Sequence, residues 1–444
     1  QKDAKMLGPV FLCVVLSAVQ GSQQDLAPLT SSRVPPSVDG ASYIFVGGER
    51  RDWRGPTTDV VSPIYVTAEK AEKAVIGRLS VMDSEAALET LGEALKAWDG
   101  GQGIWPQKSM AQRARAIEAY LDALTEKRSE IVEMLMWEIA KTAADAAKEF
   151  DRTIGFAKQV IASVANLDRF GGDAWHSFSS LQARVERGPV GVTLMLAPFN
   201  YPLNEMYAMM IPALLTGNVV LLKLPAIGAL THVLTVDALE KTLPKGVVNF
   251  VTGSGRKVLP GVMATGKVDA IGFIGGSKGA DALVKAHPHP HRLRVFSQLE
   301  GKNMAIVLPD ADLEKATSEI LVGALSYNGQ RCTALKLILV HASIADDFLK
   351  KLVPKVEALK AGLPWSEDQP TITPLPEPKK PAYLAELVDD ALAKGASIRN
   401  PRGADLRGAL FTPAVVAFVD DSMRLFHEEQ FGPVVPVGKF DDLR

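Results

Sequence analysis

The 444-residue chain predicts an α/β protein, a Rossmann-type domain with a parallel sheet followed by a second α/β domain. Three observations carry that prediction. Gly191-Val-Thr-Leu-Met-Leu, Val219-Val-Leu-Leu-Lys, Val247-Val-Asn-Phe-Val and Ala270-Ile-Gly-Phe-Ile are short apolar runs without polar alternation, as expected of strands buried on both faces of a parallel sheet. The first three start about 28 residues apart, with helix-compatible or Gly/Pro-bearing stretches between them, close to the length of a strand–helix–strand unit. Ala305-Ile-Val-Leu and Leu335-Lys-Leu-Ile-Leu-Val then open a second block of the same grammar.

Along the chain, residues 6–19 form an apolar run behind Lys2 and Lys5, superficially like a secretory signal and too short to span a membrane. Residues 1–40 read as an N-terminal extension and linker, with Ser, Pro, Gln and Gly concentrated from about 23 to 40. Tyr43 to Val46, the Gly47-Gly48 pair and the stretch to Tyr65 predict a short β entry with turns. From Ser84 to about Phe170, Ile117, Leu121, Leu124, Ile131 and Leu135 recur at steps of three, four or seven, the stripe of core-facing helices. The first domain is thus 41–300, helical before its sheet, and the second is 301–444. Val434-Val-Pro-Val reads as a strand with Arg444 soon after, so the second domain reads as incomplete, its C-terminus truncated.

Composition narrows the partners. Lys and Arg total 49 against 51 for Asp and Glu, and 47% of residues are hydrophobic. No charge excess points to nucleic acid or to an anionic membrane. Cys13 and Cys332 are the only cysteines, too few for a disulfide scaffold or a thiolate metal cluster. The His287-Pro-His-Pro-His run lacks a carboxylate or Cys to complete a ligand set, so it reads as a solvated turn and no metal is expected.

The chemistry concentrates in a few stretches. In Ser326-Tyr-Asn-Gly-Gln-Arg-Cys-Thr, Gly329 permits a tight turn and Arg331 stands beside the Cys332 thiol, whose ionisation a cation favours. A thiolate there attacks carbonyls; the bland alternative is an inert buried Cys. Pro198-Phe-Asn-Tyr-Pro follows the first strand of the sheet, where ligands gather in open α/β folds. The Asn200 amide is able to donate to an oxyanion, or simply to form a turn. Gly272-Phe-Ile-Gly-Gly-Ser-Lys-Gly can bring backbone N–H groups to a pyrophosphate but lacks a full G-x-G-x-x-G. Lys223 ends a strand, where it meets a phosphate or only solvent.

In that order and spacing, Pro198-Phe-Asn-Tyr-Pro, Lys223-Leu-Pro-Ala, Phe273-Ile-Gly-Gly, Asn328-Gly-Gln-Arg-Cys-Thr and Glu428-Glu-Gln-Phe-Gly-Pro resemble the aldehyde dehydrogenase superfamily from about residue 42 to the end. The Asn-Tyr-Pro and Gly-Gln-Arg-Cys-Thr-Ala variants are most similar to its non-phosphorylating, NADP-dependent glyceraldehyde-3-phosphate dehydrogenases. The resemblance implies an aldehyde dehydrogenase-like fold, with 41–300 binding NADP and 301–444 catalytic. It implies Cys332 as the nucleophile, Asn200 in the oxyanion hole, Lys223 at the adenosine ribose or its phosphate, and Gly275 and Gly276 in the cofactor loop. Glu429 and Phe431 would position the nicotinamide ribose and ring, and Arg152, Tyr201 and Arg331 the substrate phosphate. Ala226 stands where NAD-preferring relatives carry a ribose-binding Glu; without that carboxylate NADP is favoured, with NAD still possible. A small aldehyde is the expected partner, a homodimer or homotetramer the expected assembly of the full-length protein, and the cytoplasm the expected compartment for a free thiolate, with targeting by residues 6–19 left open.

One departure matters. The family's general base lies four residues before a Lys; alignment on Lys302 puts Gln298 there, in Gln298-Leu-Glu-Gly-Lys. An amide does not accept a proton at neutral pH. Three expectations follow: Glu300 takes over as the catalytic base, which is favoured here; Gln298 merely orients water; or the acyl group passes to another acceptor such as a thiol. The function the resemblance implies is NADP-dependent oxidation of a small phosphorylated aldehyde, glyceraldehyde 3-phosphate to 3-phosphoglycerate, through a Cys332 thiohemiacetal and thioester; dehydrogenation of another, carboxylated semialdehyde and a non-catalytic cofactor-binding relative are the rival functions.

Overall fold

The computed structural model describes residues 27–67, 71–171, 175–183 and 188–442. The apolar run at 6–19 and Cys13 lie outside the described residues. Much of the stretch read as a linker is not one. Thr30–Ser31 pairs in parallel with Thr57–Val66, and Val38–Gly40 with Glu72–Ser80. The last two long strands pair antiparallel, so their outer edges present unpaired backbone groups that the N-terminal segment satisfies.

The helical region is four helices, Ser84–Trp98, Met110–Glu126, Arg128–Ile139 and Ala143–Gly171. Asp83 caps the first through Ala86 N, and Ser109 with Gln112 forms a capping box on the second, satisfying backbone donors that a helix start leaves open. Ile117, Leu121, Leu124, Ile131 and Leu135 are all fully buried, as their spacing predicts.

The Rossmann-type sheet has five parallel strands. From edge to edge they are Val248–Val251, Val219–Lys223, Val192–Leu196, Ala270–Ile274 and Arg294–Gln298. The chain therefore starts in the middle, winds to one edge, then crosses back over the first strand. The reversal falls between Val192–Leu196 and Ala270–Ile274, and ligands of such sheets sit beyond the carboxyl ends of the strands at that crevice. Phe199, Asn200 and Tyr201 follow one of these two strands, Gly275 and Gly276 the other, and Gln298 ends the edge strand.

The second sheet runs Met304–Val307, Leu337–His341, Val434–Phe440, Ala414–Ala417 and Ser397–Ile398, parallel except for the last pair. Helices Leu313–Leu325 and Ala345–Glu357 cover one side through Ile320, Phe348 and Leu352. Lys380–Ala393 packs on a separate cluster with Phe411 and Val416. The histidine run is a turn, as expected, but not wholly solvated: His287 is buried with its Nε2 on the Val268 carbonyl. Among the described residues no helix is long and apolar enough to cross a membrane.

Candidate active site

The Cys332 loop is built by an unusual turn. Tyr327, Asn328 and Gly329 all have left-handed backbones, with φ of 49°, 56° and 69°, a conformation that costs energy outside glycine and persists only when the surroundings enforce it. They do so here. Asn328 exchanges two hydrogen bonds with Thr373, at 3.1 and 2.9 Å, and the Tyr327 hydroxyl donates to the Ile139 carbonyl. At Gly329 a Cβ would lie 2.7 Å from both the Ala324 and the Gly432 carbonyl oxygens, so the residue satisfies a positive φ and a close backbone approach at once.

The turn delivers Cys332, half-buried, to the wall of a cleft of about 1330 Å³. Asn200, buried on the same wall, donates one amide hydrogen to the Gln330 carbonyl at 2.8 Å. The same nitrogen carries a second amide hydrogen that this bond does not use. The Cys332 carbonyl is clamped by Asn303 Nδ2 and by Lys336 Nζ, each at 2.7 Å.

Gln298 is the residue that meets the nucleophile: its Nε2 donates to Cys332 Sγ at 3.2 Å. Glu300 does not, which corrects the expectation that it takes the base position. Its two oxygens accept from Ser277 N at 2.7 Å and Ser277 Oγ at 2.6 Å, at the start of helix Ser277–Ala286. Those bonds, Ser277's side chain foremost, hold the carboxyl below its usual pKa, and an anion there is favoured by free N–H groups and the helix dipole. Gly275 and Gly276 line the same cleft. The Gly275 N–H is spent on the Gln298 carbonyl, while Gly276 has open space where a Cβ would stand.

The C-terminal segment Glu428, Glu429 and Phe431 also lines the cleft. Glu429 pairs with Lys336 at 2.9 Å, and Lys336 is 1% exposed. Phe431, at φ 46°, meets Phe199 edge-on at 5.9 Å. Lys302 donates to the Glu428 carbonyl and to Gln430 Oε1, both at 2.7 Å. Burial first, then the nearby Lys336 charge, push its ammonium pKa down to about 7.

Tyr201, Arg152 and Arg331 also reach the cleft. Beneath Tyr201 lies a fully buried ion pair that no sequence pattern announced, Lys141 with Glu149. The ammonium sits 3.4 Å from the Tyr201 ring centroid and 4.7 Å from that of Tyr327, while Glu149 accepts from Leu203 N and Asn204 N, fixing the start of helix Pro202–Leu215. Glu205, one turn into that helix, shares the cleft, and burial raises its pKa against the pull of Arg152. Arg331 is partly diverted: its Nη2 donates to the Gly323 and Val322 carbonyls at 2.8 and 3.3 Å, at the end of helix Leu313–Leu325, where a cation complements the dipole. Its Nε is buried without a partner among the described residues.

Lys223 and Ala226 stand apart from the walls of this cleft, at and just beyond the end of strand Val219–Lys223. Lys223 is 7% exposed, folded back onto the Leu224 carbonyl, and burial lowers its pKa to about 8. Its Cε lies 3.7 Å from where a Cβ on Gly255 would stand, beside the start of helix Gly255–Ala264. The expected contact with a ribose or its phosphate therefore requires Lys223 to swing outward. A dinucleotide fits these features otherwise: an open crevice at the sheet reversal, the bare Gly276, an aromatic wall at Phe431 and a buried cation near the neighbouring strand end.

Residues 58–444 match the model of the aldehyde dehydrogenase family. An NADP-dependent glyceraldehyde-3-phosphate dehydrogenase from Streptococcus equinus is 34% identical over 397 residues, spanning 88% of this chain and 79% of the relative. One from Zea mays is 33% identical over 417 residues, spanning 90% and 78%. Among solved structures, the NADP complex of the NADP-dependent glyceraldehyde-3-phosphate dehydrogenase from Bacillus halodurans C-125 superposes with a TM-score of 0.80 at 31% identity, covering 90% of this chain and 82% of the other. The lactaldehyde dehydrogenase from Escherichia coli gives 0.81 at 26% identity, covering 92% and 83%.

The Cys332 turn yields a direct test. Gly329→Ala should lower unfolding stability by about 2 kcal/mol or more, since a left-handed Ala is strained and its Cβ meets two carbonyl oxygens. Urea denaturation reads it; an unchanged midpoint would mean the turn relaxes freely.

Proposed function

The chain belongs to the aldehyde dehydrogenase family, and from that premise we propose that it oxidises a small phosphorylated aldehyde, glyceraldehyde 3-phosphate, to the acid level with NADP. The observation that carries the reading is the convergence of Cys332, Asn200 and the Gly275-Gly276 loop on one cleft at the sheet reversal.

The Cys332 thiolate attacks the aldehyde carbon, forming a C–S bond. The free Asn200 amide hydrogen receives the oxyanion that develops, which is where a preorganised donor accelerates acyl chemistry most. NADP, when bound, would supply the acceptor for the hydride that the thiohemiacetal loses. Glu429, anchored by Lys336, and Phe431, braced by Phe199, form the wall that positions its ribose and nicotinamide. Lys223, unopposed by any carboxylate at Ala226, attracts the 2′-phosphate that distinguishes NADP from NAD.

Arg152 and Tyr201 hold the substrate phosphate, with Arg331 contributing the Nε that its bonds to the helix carbonyls leave unused. Arg suits this role by its forked donor geometry. The names of the relatives from Streptococcus equinus and Zea mays favour the same substrate. For assembly, the exposed Trp175, Phe178 and Leu181 around the hairpin His176–Ala183 and the exposed edge strand Arg294–Gln298 offer surfaces suited to a homodimer or homotetramer.

Rapid mixing with glyceraldehyde 3-phosphate and NADP should give a burst of one NADPH per Cys332, absent in Cys332→Ala. Unphosphorylated glyceraldehyde should need at least tenfold more substrate to reach the same burst rate. Equal concentration dependence for the two aldehydes would remove the phosphate assignment, and a burst surviving in Cys332→Ala would remove the mechanism.

The Lys223 environment gives a pH signature. Its pKa near 8 leaves it mostly charged at pH 7 and neutral above pH 9. NADP affinity, read by quenching of protein fluorescence, should therefore fall as pH rises through 8, by up to about tenfold per unit, while NAD affinity stays level. Lys223→Met should weaken NADP binding and flatten its pH profile; a profile unchanged by that substitution would mean the ammonium does not meet the phosphate.

A further inference from the structure

We propose that the acyl group on Cys332 leaves to a thiol, not to water, making the chain an aldehyde dehydrogenase that forms thioesters. The inference rests on the thioester of the preceding section and concerns its fate. The group in hydrogen-bond contact with the sulfur is the Gln298 amide, at 3.2 Å. Water must lose a proton as it attacks, and an amide cannot take it.

Of the six glutamates lining the cleft, none is hydrogen-bonded to Cys332 Sγ and five pair with other groups, Glu377 with Lys380 at 3.3 Å and Glu386 with Arg424 at 4.0 Å among them. Glu300 is tied to Ser277, and Glu429 to Lys336. Glu428 is held by Arg424 at 2.7 and 3.0 Å and by the Tyr383 hydroxyl. Glu205 lies at the Tyr201 and Arg152 end, on the helix that starts at Pro202.

A thiol needs no base in the site. With a pKa near 8.5 it is a few per cent ionised at pH 7, whereas water ionises about seven units higher. It therefore arrives as the nucleophile. The step balances without oxidant or reductant. The incoming thiolate forms a C–S bond to the acyl carbon, the bond to Cys332 Sγ breaks, and Cys332 departs as thiolate; the acceptor's proton has already gone to solvent. An N–H aimed at Sγ suits this exchange, because Gln298 stabilises sulfur carrying negative charge both as it attacks and as it leaves. That help to the leaving sulfur is the same for any acceptor; what Gln298 cannot do is take the proton an attacking water must lose. Exchange between thioesters is also nearly isoenergetic, which an acyl transfer to inorganic phosphate is not.

The test uses the full chain with NADP and glyceraldehyde 3-phosphate, with coenzyme A or N-acetylcysteamine as the probe thiol and inorganic phosphate as a separate arm. Expected is an NADPH burst followed by slow turnover, at least tenfold faster with millimolar thiol. The thioester of the probe should appear by mass spectrometry in amounts equal to NADPH and depend on enzyme. Gln298→Glu should raise turnover without thiol by at least tenfold and shift the product to the free acid. The proposal is overturned if turnover without thiol matches the burst rate and gives the acid, or if phosphate accelerates turnover and thiols do not. Absence of any burst would overturn the underlying reading of Cys332 instead.

Discussion

One buried ammonium joins the two halves of the site. Lys336 is almost wholly out of solvent, and a charge in that position must be paired or be strongly destabilising. It is paired twice. Its donors reach the Cys332 carbonyl, in the nucleophile loop, and the Glu429 carboxylate, in the C-terminal segment that lines the same cleft. Gln430 reinforces the joint by donating to the carbonyls of Lys336 and Val434. Lys336, with Asn303 on the same carbonyl and Lys302 on Glu428 and Gln430, thus ties the Cys332 loop to the Glu429–Phe431 segment, and the chemistry proposed for the cleft depends on that spacing.

Below this joint the strain in the loop becomes intelligible. Three consecutive left-handed residues do not form in an unsupported chain, yet here Thr373, Ile139 and the packed carbonyls of Ala324 and Gly432 enforce them. The reward is orientation: the sulfur faces the cleft while the backbone on either side is held. The same logic governs Tyr201, whose ring rests on a Lys141 ammonium neutralised by Glu149. That carboxylate also caps the helix carrying Tyr201's neighbours. Charges buried in pairs act here as fixed supports for side chains that face the ligand.

Much of this was legible in the residue order. Continuous apolar runs mark interior parallel strands because both faces are covered, and Val219–Lys223 and Ala270–Ile274 fall where their runs stand. The edge strand Arg294–Gln298 was not legible, because every residue in it is exposed and an edge needs no apolar run. The short N-terminal strands were hidden for a related reason: two and three residues long, they carry one core-packed aliphatic, Val38, and no apolar run. Within the site, Cys332 and Asn200 could be found from motifs, but Lys336 reads in sequence as one polar residue in a strand. Its role is set as much by Glu429 and Gln430, far along the chain, as by Cys332 four residues before it. Glu300 shows the limit most clearly. Its type suited a base, but a free helix N-terminus within reach outcompeted the sulfur for its charge.

The identity of the covalent centre is the claim on which the rest turns. Acid quenching of the enzyme a few hundred milliseconds after mixing with aldehyde and NADP, followed by peptide mass spectrometry, measures it most directly. The expected result is an acyl adduct on the peptide containing Cys332, approaching one per chain and disappearing on treatment with hydroxylamine. NADPH formed in stoichiometric amount with Cys332 unmodified throughout the time course would contradict it.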